Sequence, residues 1–335
     1  MSKRWQLWLG FLVSLFFLWL VLRRMELPRV WEELRAARYL WIIPGVVVYF
    51  FGVWARTWRW HYLLSPLRRV PLTRLFPVVC IGYMGNNIYP ARAGELIRGY
   101  VLKRQEGVSF SASFATIIIE RVFDGLVMLL FVFIALPFTP LPSILRAIVV
   151  VSSVLFGGAL LFFFAIAASP ERARAVYDFV ARRFLPERLL KRTQGLVDRF
   201  LTGLRSLRSR RDVFMIFATS VVIWLAETVK YWFVMHAFTF TVPFYVLMLM
   251  NGVVNLATTV PSSPGYVGTF DWPGIVILNT FGVNREVATA YTLVLHAALW
   301  FPITALGAFY MVRHQFSWRE LGAAQRAKDA IEAAG

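Results

Sequence analysis

Charge is what this sequence has least of. Only 16% of its 335 residues are Asp, Glu, Lys or Arg, while 59% are hydrophobic and the mean hydropathy is +0.61. A soluble domain with that balance has too little polar surface to face water, so the bilayer is its solvent. Acids are scarcer still, 18 against 36 Lys and Arg, for a formal charge of +18. That excess sits in short stretches between apolar runs, the distribution of topology determinants, and no nucleic-acid partner is expected. A single cysteine, Cys80, excludes an intrachain disulfide and a cysteine-based zinc cluster. Also missing are a P-loop, a GxSxG elbow, an HExxH pair, a dinucleotide fingerprint and any Cys/His metal spacing. No catalytic residue, cofactor or metal is therefore predicted.

What is present is a series of nine apolar runs: residues 5–22, 39–55, 72–90, 117–136, 147–169, 213–238, 244–261, 266–281 and 287–312. The first follows Lys3 and Arg4 but is bulky throughout and lacks a small-residue cleavage site, so it reads as a retained signal anchor. The stretch 170–211 holds twelve Lys and Arg against four acids and marks the cytoplasmic side. Counting back from it, the run 72–90 places two basic clusters on opposite sides if it crosses, and on the same side if it dips in and returns. One of these clusters is Arg56, Arg59, Arg68, Arg69 and Arg74, and the positive-inside rule prefers the return. In the second half, Arg313, Arg319, Arg326 and Lys328 mark an inward C-terminus, so everything from about 241 to 284 begins and ends outside. The prediction is an all-α integral membrane protein of about six full transmembrane helices plus two re-entrant helical hairpins in an inverted repeat, entering from opposite faces. Eight or nine simple spans are the alternative. Residues 1–316 form one polytopic domain, with a basic amphipathic cytoplasmic segment at 170–211 and a cytoplasmic tail at 317–335. Multi-pass placement in the inner (cytoplasmic) membrane follows, with both termini cytoplasmic.

The hairpin tips share a pattern. Asn86, Asn87 and Pro90 lead to Gly94 and Glu95, while Asn255 leads through Pro261, Pro264, Gly265 and Gly268 to Asp271. Short apolar segments broken by Gly and Pro at corresponding places in two halves point to a transporter's midplane site. Non-helical backbone at that depth survives only in protein or beside a polar cavity. Arg92, Glu95 and Arg98 fall at i, i+3, i+6, leaving net positive charge suited to phosphate oxygens, unless the arginines only anchor the hairpin at the surface. Glu120, Arg121 and Asp124 interrupt an apolar run; the two acids share a face, and Arg121 reaches Asp124 at i, i+3. Charges at such depth face the bundle interior, as a head-group site or as an ion-pair network that holds helices together. Glu227 and Lys230 are the corresponding pair in the second half. His236 and His296 read as hydrogen-bonded packing residues, and His61 with Trp58, Arg59 and Trp60 as an interfacial belt. Apolar positions from Leu189 to Leu207, interleaved with arginines, describe an amphipathic helix on an anionic leaflet.

The run Asn86-Asn87-Ile88-Tyr89-Pro90-Ala91-Arg92-Ala93-Gly94-Glu95-Leu96-Ile97-Arg98, followed by Glu120-Arg121-Val122-Phe123-Asp124, resembles the lysylphosphatidylglycerol synthase transmembrane family. That family includes the flippase half of bacterial multiple-peptide-resistance proteins. Residues 260–271 are similar to its Pro-Gly-Gly-Glu segment, with Asp271 where the family usually has Glu. The resemblance spans nearly the whole chain and implies movement of a phospholipid or lipid-linked head group between leaflets. With no soluble aminoacyl-transfer domain after Val312, synthase activity is not expected. The expected partners are an anionic phospholipid or lipid-linked substrate, the membrane itself and a second copy of the chain as a homodimer. The competing readings are a non-transporting scaffold for a lipid-modifying enzyme, and a lipid-linked glycosyl or aminoacyl transferase.

Overall fold

The computed structural model describes residues 26–89, 92–138, 143–184, 187–204, 207, 209–259 and 263–316, with the isolated positions 12, 15, 16 and 19. Most of the first apolar run, the tip residues 90–91 and 260–262, and the tail from 317 lie outside the described residues, as do the side chains of residues 136, 145, 167, 184, 187–192 and 199. Among the described residues the chain is helical, without strands.

A short helix α1 (Leu27–Ala36) precedes α2 (Ile42–Leu64). Two short helices follow, α3 (Leu72–Ile88) and α4 (Ala93–Glu106), and then the long α5 (Phe110–Ala135) and α6 (Ser143–Ala168). The basic segment forms α7 (Pro170–Phe184) and α8 (Glu187–Gly203). The second half repeats the order long, short, short, long: α9 (Arg210–Met235), α10 (Phe244–Ala257), α11 (Asp271–Thr280) and α12 (Arg285–Arg313). Local signals set several boundaries. Gly107 caps α4 at φ 67°, and the Ser209 and Asn284 side chains accept backbone N–H groups at the starts of α9 and α12.

Residues 39–64, 146–166, 210–235 and 285–313 are long and apolar enough to cross a membrane. α5 has the 26 residues of α9 but carries Glu120, Arg121 and Asp124. By contrast α3, α4, α10 and α11 have 17, 14, 14 and 10 residues. They rise about 25, 21, 21 and 15 Å, short of a hydrocarbon core about 30 Å thick. Each pair folds back on itself. Arg74 at the start of α3 meets Glu106 at the end of α4, with 3.2 Å between Nη1 and Oε1. The Tyr245 and Phe281 rings close the base of the second pair, 6.1 Å apart. The first hairpin is packed backbone to backbone: a Cβ on Gly94 would lie 1.8 Å from the Gly82 carbonyl oxygen. Only small residues permit that approach.

Contacts between helices are paired across the two halves. α2 packs on α9; α5 lies on α10 as α12 lies on α3; α5 touches α9 as α12 touches α2. The neighbours α2·α3, α3·α4 and α4·α5 match α9·α10, α10·α11 and α11·α12, and α2·α5 matches α9·α12. Exchanging α2–α5 with α9–α12 thus maps each of these contacts onto another.

Two expectations need correction. The run read as ending at Ala55 continues as helix to Leu64, carrying Arg56 and Arg59 into the protein rather than leaving them in a surface cluster. Trp58 stays at the surface, but Trp60 on the opposite face is fully buried, so the belt is divided by the helix itself. The amphipathic segment is two helices, and it turns apolar surface onto the bundle. α8 packs on α5, the Phe200 ring sits 6.5 Å from Phe163, and Leu204 and Leu207 are buried.

Candidate functional site

α2 brings Arg56 and Arg59 inward on one face, a spacing of three residues that places both toward α5 and α9. Arg59 forks onto Asp124, with Nη1 2.6 Å from Oδ1 and Nη2 3.2 Å from Oδ2. Its Nη1 also donates to Ser220 Oγ at 2.6 Å, and its Nε lies 3.8 Å from Glu120 Oε1. Asp124 further accepts the Trp224 indole N–H at 2.9 Å and faces Arg121 Nη2 at 3.0 Å. Glu120 takes Arg98 Nη2 at 2.9 Å, while the Arg98 guanidinium stacks over the Trp60 ring, 4.0 Å from its centroid. Arg98 is thus a buried partner rather than a surface anchor. Glu95 links outward from this network, 3.6 Å from Arg121 Nε and 3.8 Å from Arg92 Nη1.

On α9, Glu227 and Lys230 do pair, but not alone: Arg56 Nη1 reaches the other Glu227 oxygen at 2.7 Å. Lys230 lies over Tyr49, and Arg56 over Trp224. The six cations Arg56, Arg59, Arg92, Arg98, Arg121 and Lys230 therefore face four carboxylates, Glu95, Glu120, Asp124 and Glu227. The surplus is two positive charges in surroundings where each ion is expensive to hold.

The two hairpin tips meet. Arg92 Nη2 donates to the Thr258 hydroxyl at 3.1 Å and to the Thr258 carbonyl at 3.3 Å, and its guanidinium lies 5.8 Å from the Tyr266 ring centroid. Both partners hold the left-handed backbone that side chains resist, Arg92 at φ 52° and Tyr266 at φ 60°. Each costs about 1–3 kcal/mol, and such strain gathers at functional sites. Asn87 Nδ2 ties the first tip to α12 through Thr304 Oγ1 at 2.8 Å. Asn255 bonds back to Asn251, which in turn donates to Trp224 and Thr228 on α9. Asp271 accepts the Gly268 N–H at 2.8 Å and lies 2.8 Å from His296 Nδ1.

Between the tips lies a cavity of about 140 Å³, with Arg56, Arg92, Arg121, Asn86, Asn255 and His296 among its lining. Of the twelve residues singled out in the sequence, Asn86, Asn87, Arg92, Arg121, Glu227 and Asn255 line it. Glu95, Asp124 and Lys230 hold those residues in place, Glu120 pairs with Arg98 and Arg59 behind them, and Asp271 reaches the cavity through His296. Asn86 Oδ1, Arg92 Nε and Arg121 Nε are buried without a hydrogen-bond partner. Leaving such groups without a hydrogen bond costs about 1–3 kcal/mol each, and Arg121 Nε keeps Glu95 at 3.6 Å. A larger cleft, about 730 Å³, opens between α5, α6 and α9; apart from Ser153 and Arg210 its walls are apolar, Phe133, Leu160 and Phe217 among them. Among the described residues, no group of three or more His, Cys, Asp or Glu is placed to hold a metal ion.

Sequence reading missed Arg56, Arg59, Tyr49, Tyr83 and Tyr266, and the pairing of His296. The signal for the arginines was available. Gly52, Arg56, Arg59 and Leu63 share one helix face, while Trp54 and Trp58 share another. His236 does pack as expected, its Nδ1 2.8 Å from the Trp232 carbonyl oxygen.

Residues 7–307 match the family described as lysylphosphatidylglycerol synthase TM region. A UPF0104 membrane protein of Methanothermobacter thermautotrophicus is 26% identical over 293 residues, 82% of this chain and 86% of that protein. A second relative, the UPF0104 membrane protein PH1989 of Pyrococcus horikoshii, is 21% identical over 94% of this chain and 98% of its own length. Glycosyltransferase AglD of Haloferax volcanii is 26% identical over 257 residues, 68% of this chain but 41% of that enzyme. No solved structure matches.

Proposed function

Because the chain belongs to the lysylphosphatidylglycerol synthase transmembrane family, we propose that it moves a phosphate-bearing lipid between the leaflets of the inner membrane. One observation carries this reading: a cavity between two hairpin tips, lined by Arg56, Arg92 and Arg121, in a network with two more cations than carboxylates. A phosphate diester supplies one of the two missing negative charges, and guanidinium forks match its oxygens. The carboxylates are already paired with arginine or lysine, which favours an anionic head group over a cationic one. The apolar cleft beside α5 suits the acyl chains.

The paired contacts support an alternating-access mechanism. The two halves are inverted repeats whose re-entrant hairpins enter from opposite faces and meet at the midplane. Rocking one half against the other at α2 and α9 exposes the head-group site alternately to each leaflet. Both termini then lie in the cytoplasm, with α7 and α8 at the anionic surface.

The test is reconstitution in phosphatidylglycerol and phosphatidylethanolamine liposomes with a fluorescent phosphatidylglycerol in both leaflets, followed by dithionite quenching. About half the probe is quenched without translocation, and nearly all with it. Arg92→Ala and Arg121→Ala are expected to slow the second phase. A single half-amplitude phase in every preparation refutes the reading. Native mass spectrometry of the wild type beside Arg92→Ala, Glu120→Ala and Lys230→Ala identifies the lipid class that the site retains.

The glycosyltransferase relative favours a second reading, a transferase acting on lipid-linked sugar. It predicts turnover of a radiolabelled polyprenyl-phosphate sugar by the purified chain. The present reading predicts none.

A further inference from the structure

The two halves pin their hairpins in the same way, with one chemical difference. In the first, Glu95 in the opening turn of α4 faces Arg121, eleven positions into α5, at 3.6 Å. In the second, Asp271 in the opening turn of α11 faces His296, eleven positions into α12, at 2.8 Å. Arginine keeps its charge at any physiological pH, whereas imidazole exchanges its proton there.

The histidine is also held from its other side. Its Nε2 lies 2.7 Å from the carbonyl oxygen of Gly265, which sits in the second tip at φ 73° beside the left-handed Tyr266. Both ring nitrogens therefore face acceptors, a carbonyl and a carboxylate whose second oxygen already takes the Gly268 N–H. A neutral ring has one N–H and serves one of them. Holding both takes a second proton, on Nδ1 or on the carboxyl. The His296 side chain keeps 15% exposure and lines the cavity.

We propose that His296 and Asp271 are a proton-binding site that locks the second hairpin tip to α12, and that lipid movement is coupled to loss and recapture of this proton. The coupling rests on the translocase reading above; the lock does not. On release, the proton passes from His296 Nδ1 to solvent through the cavity. The pair goes from zero net charge to minus one. The Nδ1 lone pair then faces an ionised carboxylate, so the ring gives up either Asp271 or the Gly265 carbonyl, and the tip is freed. The charged groups sharing that cavity are Arg56 from α2, Arg92 from the first tip, Arg121 from α5 and Glu227 from α9. The remaining titratable side chains there are Tyr49, Tyr83, Tyr231 and Tyr266; α1 contributes none. The first latch, Glu95 with Arg121, has no imidazole and stays closed through the physiological range.

The test uses the full chain in the same liposomes. A Thr269→Cys thiol sits on the second tip, where Thr269 is fully buried while the tip is locked, and the natural Cys80 is buried and silent. Maleimide labelling is followed from pH 5.5 to 8.5 with His296 present, with His296→Gln and with His296→Arg, which copies the latch of the first half. Relative to His296→Arg, where the tip stays closed, labelling with His296 is expected to rise with pH, by up to about tenfold per unit for one proton. His296→Gln is expected to label without that dependence. The same ratio at every pH overturns the proton site, whether or not fluorescent phosphatidylglycerol is exchanged. A pH-dependent tip without lipid exchange leaves the site standing and removes the translocase reading. Both together, with exchange in the His296→Arg protein stalled, establish the coupling.

Discussion

Arg59 and Asp124 offer a demanding check on the buried network. Their side chains are 0% and 1% exposed, and the guanidinium grips both carboxylate oxygens, at 2.6 and 3.2 Å. Arg59→Met removes the positive partner and leaves Asp124 with Arg121 and the Trp224 indole, and Glu120 with Arg98. Breaking a buried pair costs about 3–5 kcal/mol, and these residual partners place the loss near 3, more than a hundredfold in the folded-to-unfolded ratio. Asp124→Asn strands Arg59 on Ser220 and a distant Glu120, for a similar loss. The double variant has no unmatched charge at this pair, so its loss falls short of the sum by about 1–3 kcal/mol. Equilibrium unfolding in mixed sodium dodecyl sulfate and maltoside micelles, followed by tryptophan fluorescence, gives all three values. Single losses below about 1 kcal/mol, the value of a solvated surface pair, would refute the claim that these charges are desolvated.

Three further outcomes are expected. Gly94→Ala drives a methyl against the Gly82 carbonyl and should leave little monodisperse protein on size-exclusion chromatography, whereas Gly157→Ala on α6, with open space at its Cβ, should behave as wild type. Cys80 is buried between α3 and its neighbours, so alkylation of the natural thiol should be undetectable in micelles and complete on unfolding in sodium dodecyl sulfate. Arg98→Lys keeps the charge but loses the planar stack on Trp60, and should cost about 1–2 kcal/mol in the same unfolding assay, with a shifted tryptophan emission.

Much of the site was legible because its charges stand out against an apolar background. Glu120, Arg121 and Asp124 had to face inward wherever the helix lay, and the spacing of Arg121 and Asp124 gave the pair that forms. The tips were legible from Asn, Pro and Gly breaking otherwise apolar runs, since such breaks need polar company. Arg56 and Arg59 were misread for the same reason in reverse. A cluster of arginines at the end of an apolar run satisfies the topology rule, and nothing local separates a flank from a buried face until the opposing carboxylates are known. His296 on its own face carried no sign of Asp271, because that partner lies across a loop and on another helix.

Composition and spacing by themselves determined that this chain is helical, that the bilayer is its solvent, and that charged and broken segments recur at matching places in two halves. Those properties depend on transfer energies and local backbone chemistry, which each segment carries with it. Only the tertiary structure decided which arginine meets which carboxylate, that the two tips touch through Arg92 and Tyr266, and that one latch is arginine and the other histidine. Those pairings join residues tens to hundreds of positions apart, and electrostatic energy at 3 Å exists only once packing has brought them together.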